Sequence, residues 1–191
     1  MKLKLLCFYL FTSFTIFAQS GKENYKVWSS FLSESYPVDA YSKYQAIYIQ
    51  DHTNNSNKLA KLSNTSVVKK VVSGLLSDSR GRTLNDSLWL DVFNKYDIIE
   101  KVPDNKLVDL FDKTLKAKLI GKRKIKRFSK LRGSYKTLIT FSDCIFDETH
   151  LKCIFYCDSY QEKLSGSGHI VFMEKKKGIW SISYMLRMWV S

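Results

Sequence analysis

The sequence predicts an α+β domain in which N-terminal helices pack on a C-terminal antiparallel β-meander. Three observations predict it. In the first half, apolar residues such as Tyr25, Trp28, Phe31 and Leu32 recur at helical spacing. In the last third they alternate, most plainly at Trp180, Ile182, Tyr184, Leu186, Met188 and Val190. Helices first and strands last is the chain order of an α+β domain. Composition agrees: 45% of the residues are apolar and 14% aromatic, which sets the chain apart from disordered sequences.

The first element is an address. Lys2 and Lys4 precede an apolar run from Leu5 to Phe17, and Ala18-Gln19-Ser20 closes it with small residues. That layout reads as a secretory signal over residues 1–18, with cleavage after Ala18 or Ser20. The run falls short of the roughly 20 apolar residues that cross a bilayer. Cys7, inside the run and behind bulky Leu6, is not a lipidation site. The expectation is an exported protein, periplasmic or secreted, with one domain over 21–191 and no transmembrane segment in the mature chain.

Pro37 ends the first helical pattern. Ala46–Gln50 reads as a short strand and Asp51–Asn57 as a turn or loop. Val67–Leu76 is ambiguous, since its β-branched residues favour a strand while its apolar spacing and Lys69-Lys70 suit a helix. Asn85-Asp86-Ser87 supplies caps for a helix with Leu88, Trp89, Val92, Phe93 and Tyr96 inward. Pro103-Asp104-Asn105 reads as the start of another, with Leu107, Leu110, Phe111 and Leu115 inward. Leu119–Phe128, interrupted by Gly121 and crowded with like charge, reads as a basic edge strand or loop that would deter edge pairing. Leu138–Phe146, Leu151–Cys157, His169–Glu174 and Ile179–Val190 read as four strands, with Ser165–Gly168 as a flexible connection and Lys175–Gly178 as a charged hairpin turn.

Charge is uneven. The chain has 31 Lys and Arg against 18 Asp and Glu, a net +13, and removing Lys2 and Lys4 leaves an excess of eleven. From Lys113 to Ser142 there are eleven Lys or Arg and no Asp or Glu. Lys122, Arg123, Lys124, Lys126 and Arg127 form the densest part and are the candidate ligand-binding residues. Such a cluster suits an anionic surface or glycan; its plain alternative is a solvated face that keeps the protein in solution. Nucleic acid fits poorly, because only Phe128 and Tyr135 are at hand to stack on bases.

Of the three cysteines past the signal, Cys153 and Cys157 on one strand would stand roughly 13 Å apart, beyond disulfide reach. A hairpin closing at Asp147 and His150 would set Cys144 opposite Cys153, the one candidate disulfide. Three buried, reduced thiols are the other expectation. Cys-x3-Cys without a second pair is not a metal site, and no cofactor is implied.

Phe141-Ser142 with Phe146-Asp147, Gly166-x-Gly168, Lys177-Gly178-x-Trp180 and the closing Trp189-Val190-Ser191 resemble an uncharacterised family of exported bacterial proteins. Leu84–Tyr96 resembles the aromatic-rich helix before the sheet in those proteins. The resemblance implies fold and address, not activity. Similar proteins often carry a Cys-Gly…Cys-Gly pair before Gly-x-Gly, and only Cys157 stands near that loop here.

No catalytic residues emerge. Ser165–Gly168 lacks the Gly-Lys-Ser/Thr of a phosphate loop, and no nucleophile-elbow pattern occurs. His52, His150 and His169 are unpaired in sequence. The expectation is a non-enzymatic protein binding an anionic envelope component or other ligand. Its rivals are a small exported hydrolase using His52 or His169 with an acid, and an interaction partner of another exported protein. If the sheet curves into a pocket, Trp180, Tyr184 and Trp189 are lining candidates, and Trp189, on the mixed face beside Arg187, joins the ligand-binding set.

Overall fold

A computed structural model of the chain describes residues 22–37, 45–54, 65–95, 105–128 (apart from 109, 112 and 116), 135–161 and 165–191. The signal over residues 1–18 lies outside them. Residues 22–35 form helix α1, which stops just before Pro37. Strand β1 (Gln45–Gln50) follows, then helix α2 (Thr65–Val72), strands β2 (Ser73–Ser77) and β3 (Thr83–Asn85), and helix α3 (Leu88–Asn94). Beyond a 3-10 turn at Lys113–Leu115 come β4 (Ala117–Ile120), the one-turn helix α4 (Lys122–Ile125), and strands β5 (Tyr135–Phe141), β6 (Ile145–Phe146), β7 (Lys152–Gln161), β8 (Ser165–Lys176) and β9 (Ile179–Val190). No described helix is long and apolar enough to cross a membrane.

The main sheet runs β4-β1-β5-β7-β8-β9, with β6 also paired to β7. The C-terminal meander β7-β8-β9 is antiparallel throughout, as the alternation predicts. The other end is parallel, because β1 pairs in parallel with both β4 and β5. That end was not foreseen. β1 buries Ile47 and Ile49 on one side and Tyr48 on the other, the pattern of an interior strand covered on both faces.

Helix α1 covers one face. Its Val27, Trp28, Phe31 and Leu32 pack with Ile49, Ile139, Phe141, Phe155 and Trp180. Each such side chain, fully buried, is worth about 1.5–3 kcal/mol. Helices α2 and α3 cover the other face of the meander, where Trp89 and Phe93 meet Tyr156, Ile170, Phe172 and Tyr184.

Several expectations are corrected. Strand β9 does not keep one apolar face: the register slips between Phe172 and Met173, so Trp180 and Ile182 point toward α1 while Tyr184 and Leu186 point toward α3. A bulge inserts one residue and thereby switches sides. It is held by carboxylates, since Glu34 Oε2 accepts from the Ile182 N–H at 2.9 Å and Asp78 Oδ2 from the Met185 N–H at 3.3 Å. Val67–Leu76 is neither helix nor strand alone: α2 ends at Val72 and β2 begins at Ser73, whose Oγ donates to the Lys70 carbonyl. In α3, Leu88 is 58% exposed rather than inward, and Asp86 instead caps by accepting the Leu88 N–H; Tyr96 lies outside the described residues.

Among the described residues of 105–115 there is no α-helix. The Leu107 N–H donates to the Asp51 carbonyl, the Asn105 N–H to Thr53 Oγ1, and the Val108 N–H to Tyr25 Oη, so tertiary partners take the groups a helix would use. Leu107, Phe111 and Leu115 are buried there, and Leu110 is exposed. Leu138–Phe146 is broken at Ser142–Cys144, and Ser165–Gly168 is part of β8, paired with Asp158–Gln161. Leu119–Phe128 divides between the edge strand β4, as expected, and α4, which was not.

Candidate functional site

The basic cluster is shaped by two apolar anchors. Ile125 and Phe128, three residues apart, turn onto Tyr48, Ile120 and Leu138, with the Phe128 and Tyr48 rings edge-on at 5.9 Å. Residues at i and i+3 share a helical side. Anchoring those two turns Arg123, Lys124, Lys126 and Arg127 outward, and these four, together with Lys122 at the start of α4, are exposed. None forms an ion pair with a described carboxylate. Exposed Lys118 on β4 extends the positive surface. Asp51 lies 3.0 Å from where a Gly121 Cβ would stand and is bonded to His52 Nδ1 at 2.8 Å. Five unpaired cations in six positions repel one another, a cost that bound anions would relieve.

Trp189 is on the same sheet face as α4, but apart from the cations. Its indole lies over the β8 glycines, where a Cβ on Gly168 would stand 2.1 Å from Trp189 Nε1 and 2.2 Å from Tyr156 Oη. Gly-x-Gly at the period of a strand clears a trough for the ring. Nε1 donates to Tyr156 Oη at 2.7 Å, and the Tyr156 hydroxyl donates to the buried Asp158 carboxylate. Burial, with Asp158 beside it, pushes the Tyr156 hydroxyl well above its ordinary pKa, so it stays a donor. The Trp189 and Tyr160 rings lie 5.6 Å apart, and Tyr160 packs against the α4 anchors' cluster, which is how Trp189 reaches the basic face. Trp180 and Tyr184 are core residues, 4% and 1% exposed.

The three thiols Cys144, Cys153 and Cys157 are free. The hairpin register differs from the expected one: Phe146, not Cys144, pairs with Cys153. The turn is longer because Asp147 Oδ1 accepts the N–H groups of both Leu151 and Lys152, and His150 takes a left-handed φ of 54°. Burial and the neighbouring Cys153 thiol push Cys144 up, and burial pushes Cys157 up, so both resist ionisation.

The histidines have separate partners. His52 pairs with Asp51, His150 stacks on Phe146 at 5.0 Å, and burial together with Arg187 lowers the pKa of His169. Among the described residues no three His, Cys, Asp or Glu side chains stand close enough to hold a metal.

Sequence reasoning missed the acids. Glu23 on α1 accepts from Lys175 Nζ at 2.7 Å and from Trp180 Nε1 at 3.0 Å. Burial pushes its carboxyl up, but the bonds from Lys175, Trp180 and Lys26 outweigh that and hold it at about 2. Asp78, whose side chain is fully buried, binds Arg82 Nε at 2.7 Å, and Arg82 also reaches Glu34. Glu23–Lys26 and Asp78–Arg82 are local pairs, but Lys175, Trp180 and Glu34 lie far from their partners in sequence, and no local pattern marks those.

Fold and site define a helix-covered mixed sheet that carries an exposed cationic surface among the described residues. The chain matches no protein-family model, no curated protein and no solved structure.

Proposed function

We propose that the protein is an exported, non-enzymatic binder of a polyanionic envelope component, with Lys122, Arg123, Lys124, Lys126 and Arg127 as its contact surface. The observation that carries this reading is the outward display of five cations by an element whose apolar residues are fixed beneath it. A solvated face needs no such anchoring, and it is usually interspersed with acids. The charges are close enough to act together on closely spaced phosphates, sulfates or carboxylates, and screening by salt should weaken them sharply.

The test compares the protein with a variant carrying glutamine at all five positions, on immobilised heparin and on vesicles containing phosphatidylglycerol. The reading expects the variant to elute at much lower salt and to leave the vesicles. It also expects the variant to be at least as stable as the parent, because no ion pair is lost. Equal retention of the two would defeat it.

A further inference from the structure

Away from the basic face, an open groove of about 570 Å³ runs between the outer side of α1 and the turn joining β8 to β9. That volume falls within the roughly 300–1,000 Å³ span of small-molecule sites. Tyr25 and Trp180 contribute aromatic surface to its walls, and Leu110 and Ile179 line it while being 54% and 71% exposed. An isoleucine at the end of a charged hairpin turn gains nothing from water, and two such exposed residues in one groove with Tyr25 give it an apolar lining. The same groove is lined by Lys22 and Lys26. Lys26 is bonded to Glu23 at 3.1 Å, whereas Lys22 is exposed and forms no ion pair with a described residue.

We infer that this groove binds a single-chain anionic amphiphile, of fatty-acid type, with its chain along Leu110, Ile179 and Tyr25 and its carboxylate at Lys22. Charge complementarity selects the ligand. A neutral apolar molecule would leave the Lys22 ammonium without a partner, and Glu23 is already committed to Lys175, Trp180 and Lys26, which disfavours a cationic head. Helix α1, the β8–β9 turn and Leu110 bound the groove, so it takes one chain rather than a bilayer surface. The site is independent of the α4 face.

The probe is laurate below its micellar concentration, followed by calorimetry and by intrinsic tryptophan fluorescence. Saturable one-to-one binding is expected. Ile179→Asp should weaken it at least tenfold, since it removes apolar contact with the chain and sets a second carboxylate in the groove. Lys22→Gln should weaken it about two- to fivefold, the reach of an exposed charge pair. Both residues are exposed, so the fold should survive, as thermal unfolding will verify. The five-glutamine variant of α4 should bind laurate like the parent. No saturable binding, affinity indifferent to Ile179→Asp, or loss of binding in the α4 variant would each overturn the inference.

Discussion

Gly168→Ala tests whether Trp189 is seated as described. The new methyl would stand 2.1 Å from Trp189 Nε1 and 2.2 Å from Tyr156 Oη. Neither atom can yield cheaply. Tyr156 is 2% exposed inside the α3-covered core and its hydroxyl is bound to buried Asp158. The indole must therefore swing out, losing its hydrogen bond, worth about 1 kcal/mol, and its contact with the Tyr160 ring, worth about 0.5–1.5 kcal/mol. Residual overpacking against Tyr156 adds about 1–3 kcal/mol, while alanine in a strand gains about 0.5–1 kcal/mol over glycine. The net loss is about 1.5–5 kcal/mol, or roughly 3–20 °C in Tm for a domain of this size. Gly166→Ala, whose nearest contacts are ring-edge atoms of Tyr160 at 2.9 Å and Trp189 at 3.1 Å, should cost only about 1 kcal/mol. Urea unfolding of both variants, and of Gly168→Ala combined with Trp189→Ala, provides the comparison. The double variant should lose less than the sum of its parts, because the shared clash is counted once. A Gly168→Ala protein as stable as the parent would refute the placement of the indole.

Trp180→Ala should cost about 3–5 kcal/mol by chemical denaturation, because the ring is buried against Phe146 and bonded to Glu23; a midpoint near the parent's would remove Trp180 from the core. Glu23 is held at about 2 against an ordinary 4.5, so its contribution is complete above pH 4.5 and fades as the pH falls toward 2. Allowing for solvent on its open side, this is about 1–2 kcal/mol; Glu23→Gln should flatten the stability curve over that window, and an unchanged slope would contradict the account. The thiols of Cys144, Cys153 and Cys157 should label slowly in native protein at pH 8 and rapidly in urea, with fast native labelling of Cys157 as the adverse result.

What the sequence disclosed follows from the reach of its signals. The 12-residue alternation of β9 and the Lys-Gly turn before it are local and strong, and they located the β8–β9 hairpin correctly. Spacing of three and four likewise located α1. The bulge beside Ser183 was hidden because its cause lies in Glu34 and Asp78, more than a hundred residues upstream. Asn105–Leu115 has helical spacing, yet its backbone bonds go to Asp51, Thr53 and Tyr25, so tertiary pairing overrode local preference. For the basic face, unbroken charge named the cations, but only the structure shows Ile125 and Phe128 fixing their direction. The seat of Trp189 left a readable trace, Gly166-x-Gly168 at strand period, which a loop reading of Ser165–Gly168 passed over.

The most direct test of the central claim is the salt dependence of binding to heparin, measured as equilibrium constants from about 50 to 400 mM salt for the parent and the five-glutamine variant. Across that range the screening length falls from about 14 to 5 Å. The account predicts a steep linear fall of log affinity with log salt for the parent, and a weak, nearly flat line for the variant. Parallel lines of equal affinity would show that the α4 cations are only a solvated face.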